Sequence, residues 1–304
     1  MYNVLVIGGS YFLGRVFCMV AARAGDMELT LVNRGRYSMT HLPNLREFRS
    51  DRHDPVGLAA LPETDWDAVV DLCAYAPGDI RTLLEALRGS VKRYILLSTA
   101  DVYARGQDAP DETGALLSEQ GEGPAAEYAW CKRLLEGELA LECTVRGTEQ
   151  VILRPSFLYG PYNYAPRESW FIQKIVRGEP IPVPSDATGR FQFVYVTDAA
   201  NAICACIRQD AAANQSFNLA APEVLDYPAF IEALKAVSDL PFSTYPVTVE
   251  QILRESIPLP FPLTAEENEL YSGEKLQRVL GLSYTPLHEG MEKTWRAFKS
   301  VYAG

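Results

Sequence analysis

The chain has 304 residues, 48% hydrophobic and 22% charged, enough for one large α/β domain or a core with a smaller lobe. The composition excludes a disordered chain. The formal net charge of −11 makes a surface that repels phosphate backbones, so no nucleic-acid partner is expected.

The N-terminus runs straight into an apolar stretch, Val4–Ile7, followed by a helical pattern over Leu13–Ala24. That stretch is too short for a signal h-region, and no segment approaches the ~20 apolar residues of a spanning helix. The expected location is cytoplasmic, without membrane contact. Between strand and helix lies Gly8-Gly9-Ser10-Tyr11-Phe12-Leu13-Gly14. A glycine for the tight turn and one for close helix–strand packing would bring a helix N-terminus to a pyrophosphate, and Gly8 and Gly14 fit those roles. Tyr11 stands where a middle glycine usually lets the backbone approach the phosphates, so the fingerprint is imperfect.

Glu28–Val32 reads as the next strand. It runs into Asn33-Arg34-Gly35-Arg36, where NAD enzymes place an acid on the ribose 2′-hydroxyl. Here the acid is absent, and Arg34 or Arg36 could pair with a 2′-phosphate, so NADP is expected in preference to NAD. Strands follow at Leu45–Arg49, Ala68–Leu72, Arg93–Leu97 and Gln150–Leu153, with a long helix over Pro124–Arg146 before the last. Apolar strands alternating with helices predict an α/β fold, a doubly wound parallel sheet of Rossmann type. From Pro155 prolines crowd a loop-rich region. Phe193–Val196 and Phe217–Leu219 read as strands returning to the sheet, and the segment from about residue 223 as a separate helical cap. The expected division is a dinucleotide-binding core, 1–155 with returning strands at about 193–222, and a substrate lobe made of 156–192 and 223–304.

The six cysteines form no C-x-x-C pair, and the three histidines are scattered. Buried thiols in a reduced compartment are expected, with no metal site and no Ser-His-Asp arrangement.

The helix carries Tyr128-Ala-Trp-Cys-Lys132, which puts a phenol and an ammonium on one face. A neighbouring ammonium favours the phenolate, so the pair can move a proton near neutrality, and Lys132 can also hold the nicotinamide ribose. With 16 Tyr and 7 Lys in the chain, chance gives roughly 0.4 such spacings. A second one, Tyr271-Ser-Gly-Glu-Lys275, lies away from any strand end and reads as chance. Context selects Tyr128, because the strand ending at Leu97 continues Ser98-Thr99-Ala100-Asp101-Val102-Tyr103. A hydroxyl at the carboxyl end of a central parallel strand lies where ligands bind in such sheets. Thr99 can therefore bond the substrate oxygen that Tyr128 protonates or deprotonates.

With these motifs the chain resembles the extended short-chain dehydrogenases/reductases of the NAD-dependent epimerase/dehydratase type. The resemblance rests on Gly8–Gly14, Ser98–Tyr103, Tyr128-x-x-x-Lys132 with Glu136, Ile152-Leu-Arg-Pro155, Leu158-Tyr-Gly-Pro161, Phe193–Asp198 and Phe217-Asn-Leu219. The Gly-Gly-Ser-x-Phe-Leu-Gly and Asn-Arg-Gly stretches are similar to a group of bacterial epimerase homologues and to the chloroplast stem-loop-binding proteins. The resemblance implies a triad of Thr99, Tyr128 and Lys132. It places Asp51 at the adenine and Leu72, Cys73 and Ala74 along the cofactor. Phe12, Leu13, Arg52, Ser98, Pro155 and Ser156 complete the implied cofactor set. Phe157, Arg167 and Arg190 are the substrate candidates.

Departures bear on the substrate. The family's 4,6-dehydratases have an acidic pair after the catalytic Thr, where this chain has Ala100 and Asp101. Many sugar-nucleotide members carry Asn at the position of Phe157, so a sugar diphosphate would be held differently here, or the substrate is smaller. The leading expectation is an NAD(P)-dependent epimerase or keto-reductase, an oxidoreductase or isomerase acting on a sugar, sugar nucleotide or related small molecule. A homodimer is compatible with the chain. The alternative is a catalytically idle NADP- or RNA-binding protein of the same fold.

Overall fold

Alternation along the first strand sets the architecture. In β1 (Tyr2–Ile7) Val4 and Val6 enter one hydrophobic cluster while Leu5 and Ile7 enter a second on the opposite face. A strand buried on both faces belongs inside a parallel sheet covered by helices. The computed structural model describes residues 1–303. After β1 come α1 (Phe12–Ala24), β2 (Met27–Asn33), β3 (Leu45–Arg49), α2 (Pro55–Ala59) and β4 (Ala68–Asp71). They are followed by α3 (Asp79–Ala86), β5 (Arg93–Leu97), α4 (Pro124–Arg146) and β6 (Glu149–Pro155). The middle of the chain forms β7 (Phe157–Tyr159), α5 (Glu168–Val176), β8 (Ile181–Pro184), β9 (Phe191–Tyr195), α6 (Val196–Arg208) and β10 (Gln215–Leu219). The last stretch forms β11 (Val224–Leu225), α7 (Tyr227–Val237), β12 (Thr244–Val247), α8 (Val249–Glu255), α9 (Glu274–Leu280) and α10 (Leu287–Tyr302).

The main sheet has seven strands in the order β10-β6-β5-β4-β1-β2-β3, every pair parallel. This is the expected doubly wound sheet. The order in which strands are added reverses between β1 and β4, and the crevice outside their carboxyl ends is where such sheets take ligands. Helices α1 and α6 cover one face with Phe17, Ala21, Ile203 and Cys206. Helices α3 and α4 cover the other with Leu83, Leu135 and Leu139. Val4, Leu5 and Val6 are fully buried, and each such side chain contributes about 1.5–3 kcal/mol.

The predicted elements of the main sheet lie within two residues of the observed ones. Two expectations fail. Phe193–Val196 does not return to the main sheet: β9 joins a separate three-stranded sheet, β11-β9-β7, and Val196 begins α6. The sequence shows the strand but not its partner, and here the partners are the short β7 and β11, with only three and two residues. Phe217–Leu219 does return, as β10 beside β6. The residues after 223 also fail to form a detached cap, since Phe230, Leu276, Met291 and Trp295 share one continuous core with β1 and α1. Among the described residues no helix is long and apolar enough to cross a membrane.

Candidate active site

The crevice at the switch point opens into a cleft of about 760 Å³. Its floor begins at the turn after β1. Gly8 takes φ +88°, and a Cβ on it would meet Cys73 Sγ at 2.9 Å. A Cβ on Gly14 would come within 2.6 Å of the Gly8 carbonyl oxygen, so α1 can pack on the turn only with glycine there. The Tyr11 backbone is extended (φ −131°), and its ring stands at the rim rather than in the turn. Phe12 adopts φ +34°, a conformation uncommon for a bulky residue and one that stores strain at the turn lining the cleft. Tyr11 packs on Tyr37 (5.3 Å between ring centres) and on Tyr164 (4.9 Å), so three loops meet over the cleft.

At the end of β2, Asn33 Oδ1 accepts from the Gly35 N–H at 2.6 Å. Its Nδ2 is buried and has no hydrogen-bond partner among the described residues. Arg34, Arg36, Asp51 and Arg52 line the same end of the cleft. Arg52 is buried and held rigidly: Nη1 donates to both Asp71 oxygens (2.8 and 3.0 Å) and Nη2 to the Asp79 carbonyl (2.9 Å). Asp71, fully buried at the end of β4, also accepts from the Tyr94 hydroxyl at 2.5 Å and the Cys73 N–H at 3.1 Å.

At the carboxyl ends of β4 and β5 the cleft narrows onto the expected triad. Lys132 is buried, and its Nζ donates to the carbonyls of Ala74 (2.7 Å) and Leu97 (2.8 Å). It lies 4.7 Å from the Tyr75 ring centre and 5.7 Å from that of Tyr128. Burial pulls the Lys132 ammonium down to about 8. The Tyr128 phenol is pushed above its ordinary value by burial, then by Tyr75 and Asp101, while Arg167 draws it down. Lys132 is thus committed to two carbonyls, and the protein's own groups do not supply the phenolate stabilisation expected from the i, i+4 spacing. Thr99 Oγ1 donates to Asp101 Oδ2 at 2.9 Å. Ser98 Oγ donates to Glu136 Oε1 at 2.7 Å, and Glu136 forms a buried pair with Arg154 (2.8 Å). The strand end bearing Thr99 is therefore anchored to the helix bearing Tyr128.

Of the sequence candidates, Gly8, Tyr11, Phe12, Leu13, Gly14, Asn33, Arg34, Arg36, Asp51, Arg52, Leu72 and Cys73 line the cleft. So do Ser98, Thr99, Tyr128, Lys132, Pro155, Ser156, Phe157 and Arg167. Two do not. The Ala74 side chain points into the core, and its contribution is the carbonyl that holds Lys132. Arg190 is exposed outside the cleft, where its N–H donates to Asn268 Oδ1 at 2.7 Å as the chain enters β9. Sequence reading missed Tyr37, Tyr75 and Glu269, which also line it. Tyr37 and Tyr75 fall in loops, and Glu269 comes from a remote segment without a motif. Tyr271 has no lysine beside its hydroxyl, which instead donates to Glu269, while Lys275 stands over the Phe217 ring.

The loop between β7 and α5 carries Asn163, Tyr164 and Arg167 into the cleft around Glu168, which is fully buried. Glu168 accepts from the Gly160 N–H at 3.1 Å and from Asn163 Nδ2 at 3.0 Å. Burial raises this acid to about 7, against the opposing pull of those bonds. The folded state therefore holds the proton where the unfolded chain has lost it, and the contribution of Glu168 to stability falls as pH rises from about 4.5 to 7. Glu168→Gln is expected to keep its Tm between pH 5 and 8 better than wild type, by on the order of 5 °C, in paired thermal melts. Identical pH profiles would show that Glu168 does not titrate in this window.

The family profile described as NAD dependent epimerase/dehydratase matches residues 4–220. The chain belongs to this family. It is 26% identical over 253 residues to the chloroplast stem-loop binding protein of 41 kDa b from Arabidopsis thaliana, covering 79% of this chain and 64% of that one. It is 26% identical over 174 residues to UDP-glucose 4-epimerase of Vibrio cholerae, covering 57% of this chain and 51% of that protein. The chain thus spans about half to two thirds of the length of these curated relatives. Among solved structures, the Bacillus cereus UDP-glucuronic acid 4-epimerase, in complex with UDP-glucuronic acid and NAD, superposes with a TM-score of 0.78. The identity is 18%, covering 99% of this chain and 100% of that one. That likeness is one of fold.

Proposed function

We propose that the protein is an NADP(H)-dependent oxidoreductase or epimerase that acts on a sugar, free or nucleotide-linked, through Tyr128, Lys132 and Thr99. The observation that carries this reading is the convergence of all three on one cleft with a phosphate-binding turn at its other end. The residues fit a dinucleotide. The Gly8–Gly14 turn lines the cleft at the N-terminus of α1, and the buried, unpartnered Nδ2 of Asn33 lacks an acceptor among the described residues. When bound, the nicotinamide supplies the hydride chemistry that the side chains lack.

The chain's own residues then divide the work. Tyr128 gives a proton to, or takes one from, the reacting oxygen. Lys132 has three N–H donors and spends two on carbonyls, leaving one for a ribose hydroxyl or the Tyr128 oxygen. Thr99 orients the reacting oxygen, and Phe157 and Arg167 close the substrate end, with the guanidinium 4.8 Å from the ring centre.

The NADP preference rests on charge. Asn33 offers a donor where an acid would accept from a 2′-hydroxyl, and Arg34 and Arg36 stand beside it. Charge-assisted bonds to a phosphate favour NADPH over NADH by about 1–3 kcal/mol, roughly 5- to 150-fold. Calorimetric titration with both cofactors tests this. Equal affinity, or tighter NADH, overturns it, and Asn33→Asp is expected to move the preference toward NADH.

A second reading, RNA binding, has one observation in its favour: the likeness to a chloroplast stem-loop binding protein. Tyr11, Tyr37 and Tyr164 beside Arg34 and Arg36 would suit stacked bases, but the net charge of −11 opposes a phosphate backbone. Filter binding of RNA with and without NADPH separates the two, and RNA bound in preference to NADPH would replace the enzymic reading.

A further inference from the structure

Two carboxylates stand at the substrate end of the cleft, Asp101 beside the catalytic hydroxyl of Thr99 and Glu269 from the distant segment before α9. Glu269 is buried and fixed. Its N–H donates to the Arg190 carbonyl at 2.9 Å, its Oε1 accepts from Arg105 at 2.5 Å, and its Oε2 accepts from the Tyr271 hydroxyl. Asp101 is half-buried, and its positive neighbour Arg105 makes its close ion pair with Glu269 instead. Its Oδ2 takes the Thr99 proton, so Oδ1 remains free to accept from a ligand. Elsewhere in the cleft, Phe157 offers an aromatic face with the Arg167 guanidinium above it.

We infer that Asp101 and Glu269 form an acidic wall that reads sugar hydroxyls, so that the site accepts an uncharged sugar ring and rejects one bearing a carboxylate. The inference rests on the sugar reading above. A sugar hydroxyl brings a proton to a carboxylate, and O–H···O⁻ bonds are the stronger kind. The carboxylate of a uronate brings no proton at its own position and adds a like charge in a place where water screens poorly. The two carboxylates already act on one another, since burial and then Asp101 raise Glu269 above its ordinary value. A third negative charge beside them meets two carboxylates that share the single guanidinium of Arg105, a wall that is still net negative. Any anionic group on the substrate belongs instead with Arg167, over Phe157, where a phosphate finds a cation without a carboxylate partner among the described residues.

The test uses NADPH-loaded protein and two matched pairs of probes, UDP-glucose with UDP-glucuronate and galactose with galacturonate, titrated by calorimetry. In whichever pair binds, the neutral member is expected to bind at least about tenfold tighter. In Asp101→Asn and in Glu269→Gln, both of nearly unchanged size, that preference is expected to shrink to roughly threefold or less. Retained NADPH affinity shows that each variant is folded, and if neither variant folds the wild-type comparison decides alone. A uronate that binds as tightly as its neutral partner overturns the inference while leaving the sugar reading intact. So does a preference unchanged in both variants. If neither pair binds, the sugar reading fails, and the wall fails with it.

Discussion

Tyr128→Phe is expected to lower turnover by about 10²–10⁴-fold on any substrate the wild type converts, because in the proposed mechanism the phenol moves the proton. The hydroxyl makes no hydrogen bond to the described residues, and the ring is 39% exposed to the cleft, so its loss leaves the fold unchanged. Cofactor affinity should also stay close to wild type, since Lys132 holds its place through the Ala74 and Leu97 carbonyls rather than through Tyr128. The measurement is a pair: steady-state rate and NADPH titration on the same preparation. A rate within threefold of wild type would mean that another group carries the proton.

Arg154→Met is expected to destabilise the protein by about 3–5 kcal/mol in denaturant unfolding, the usual result of stranding a buried charge. Arg154 Nε and Nη2 meet Glu136 at 2.9 and 2.8 Å, and Nη1 donates to the Tyr103 hydroxyl at 2.8 Å. All three side chains are buried. Without the guanidinium, Glu136 keeps only the Ser98 hydroxyl as a donor among the described residues. The double change Arg154→Met with Glu136→Leu is expected to recover much of the loss, because apolar replacements of buried pairs are tolerated. A single variant within about 1 kcal/mol of wild type would show that the pair is not what fixes the strand end.

The sheet was legible because its strands are nearly continuous in apolar residues and its turns lie at strand ends. Both signals are local. That Thr99, Tyr128 and Lys132 share one cleft was legible for a similar reason, a phenol–amine spacing on a helix together with a hydroxyl at the end of a central strand. What escaped the sequence depends on contacts between distant segments. Glu269 reaches the cleft through a backbone bond to Arg190 and an ion pair with Arg105, neither of which leaves a spacing to read. Arg190 lies exposed just before β9, a strand of the small sheet of β7, β9 and β11 whose partners no local pattern reveals. The setting of Tyr128 was misjudged for a third reason: the i, i+4 spacing brings Lys132 near, but its ammonium turns to carbonyls that a helical pattern cannot reveal.

The central claim is that this cleft moves a hydride with Tyr128 as its proton partner. Protein loaded with NADP⁺ is mixed rapidly with a neutral sugar or nucleotide sugar that it binds, and the absorbance of reduced nicotinamide is followed. Wild type is expected to show a rise, transient for an epimerase and lasting for a dehydrogenase, and Tyr128→Phe is expected to show none at equal cofactor occupancy. No rise in wild type with any bound sugar, or an equal rise in Tyr128→Phe, would contradict the account.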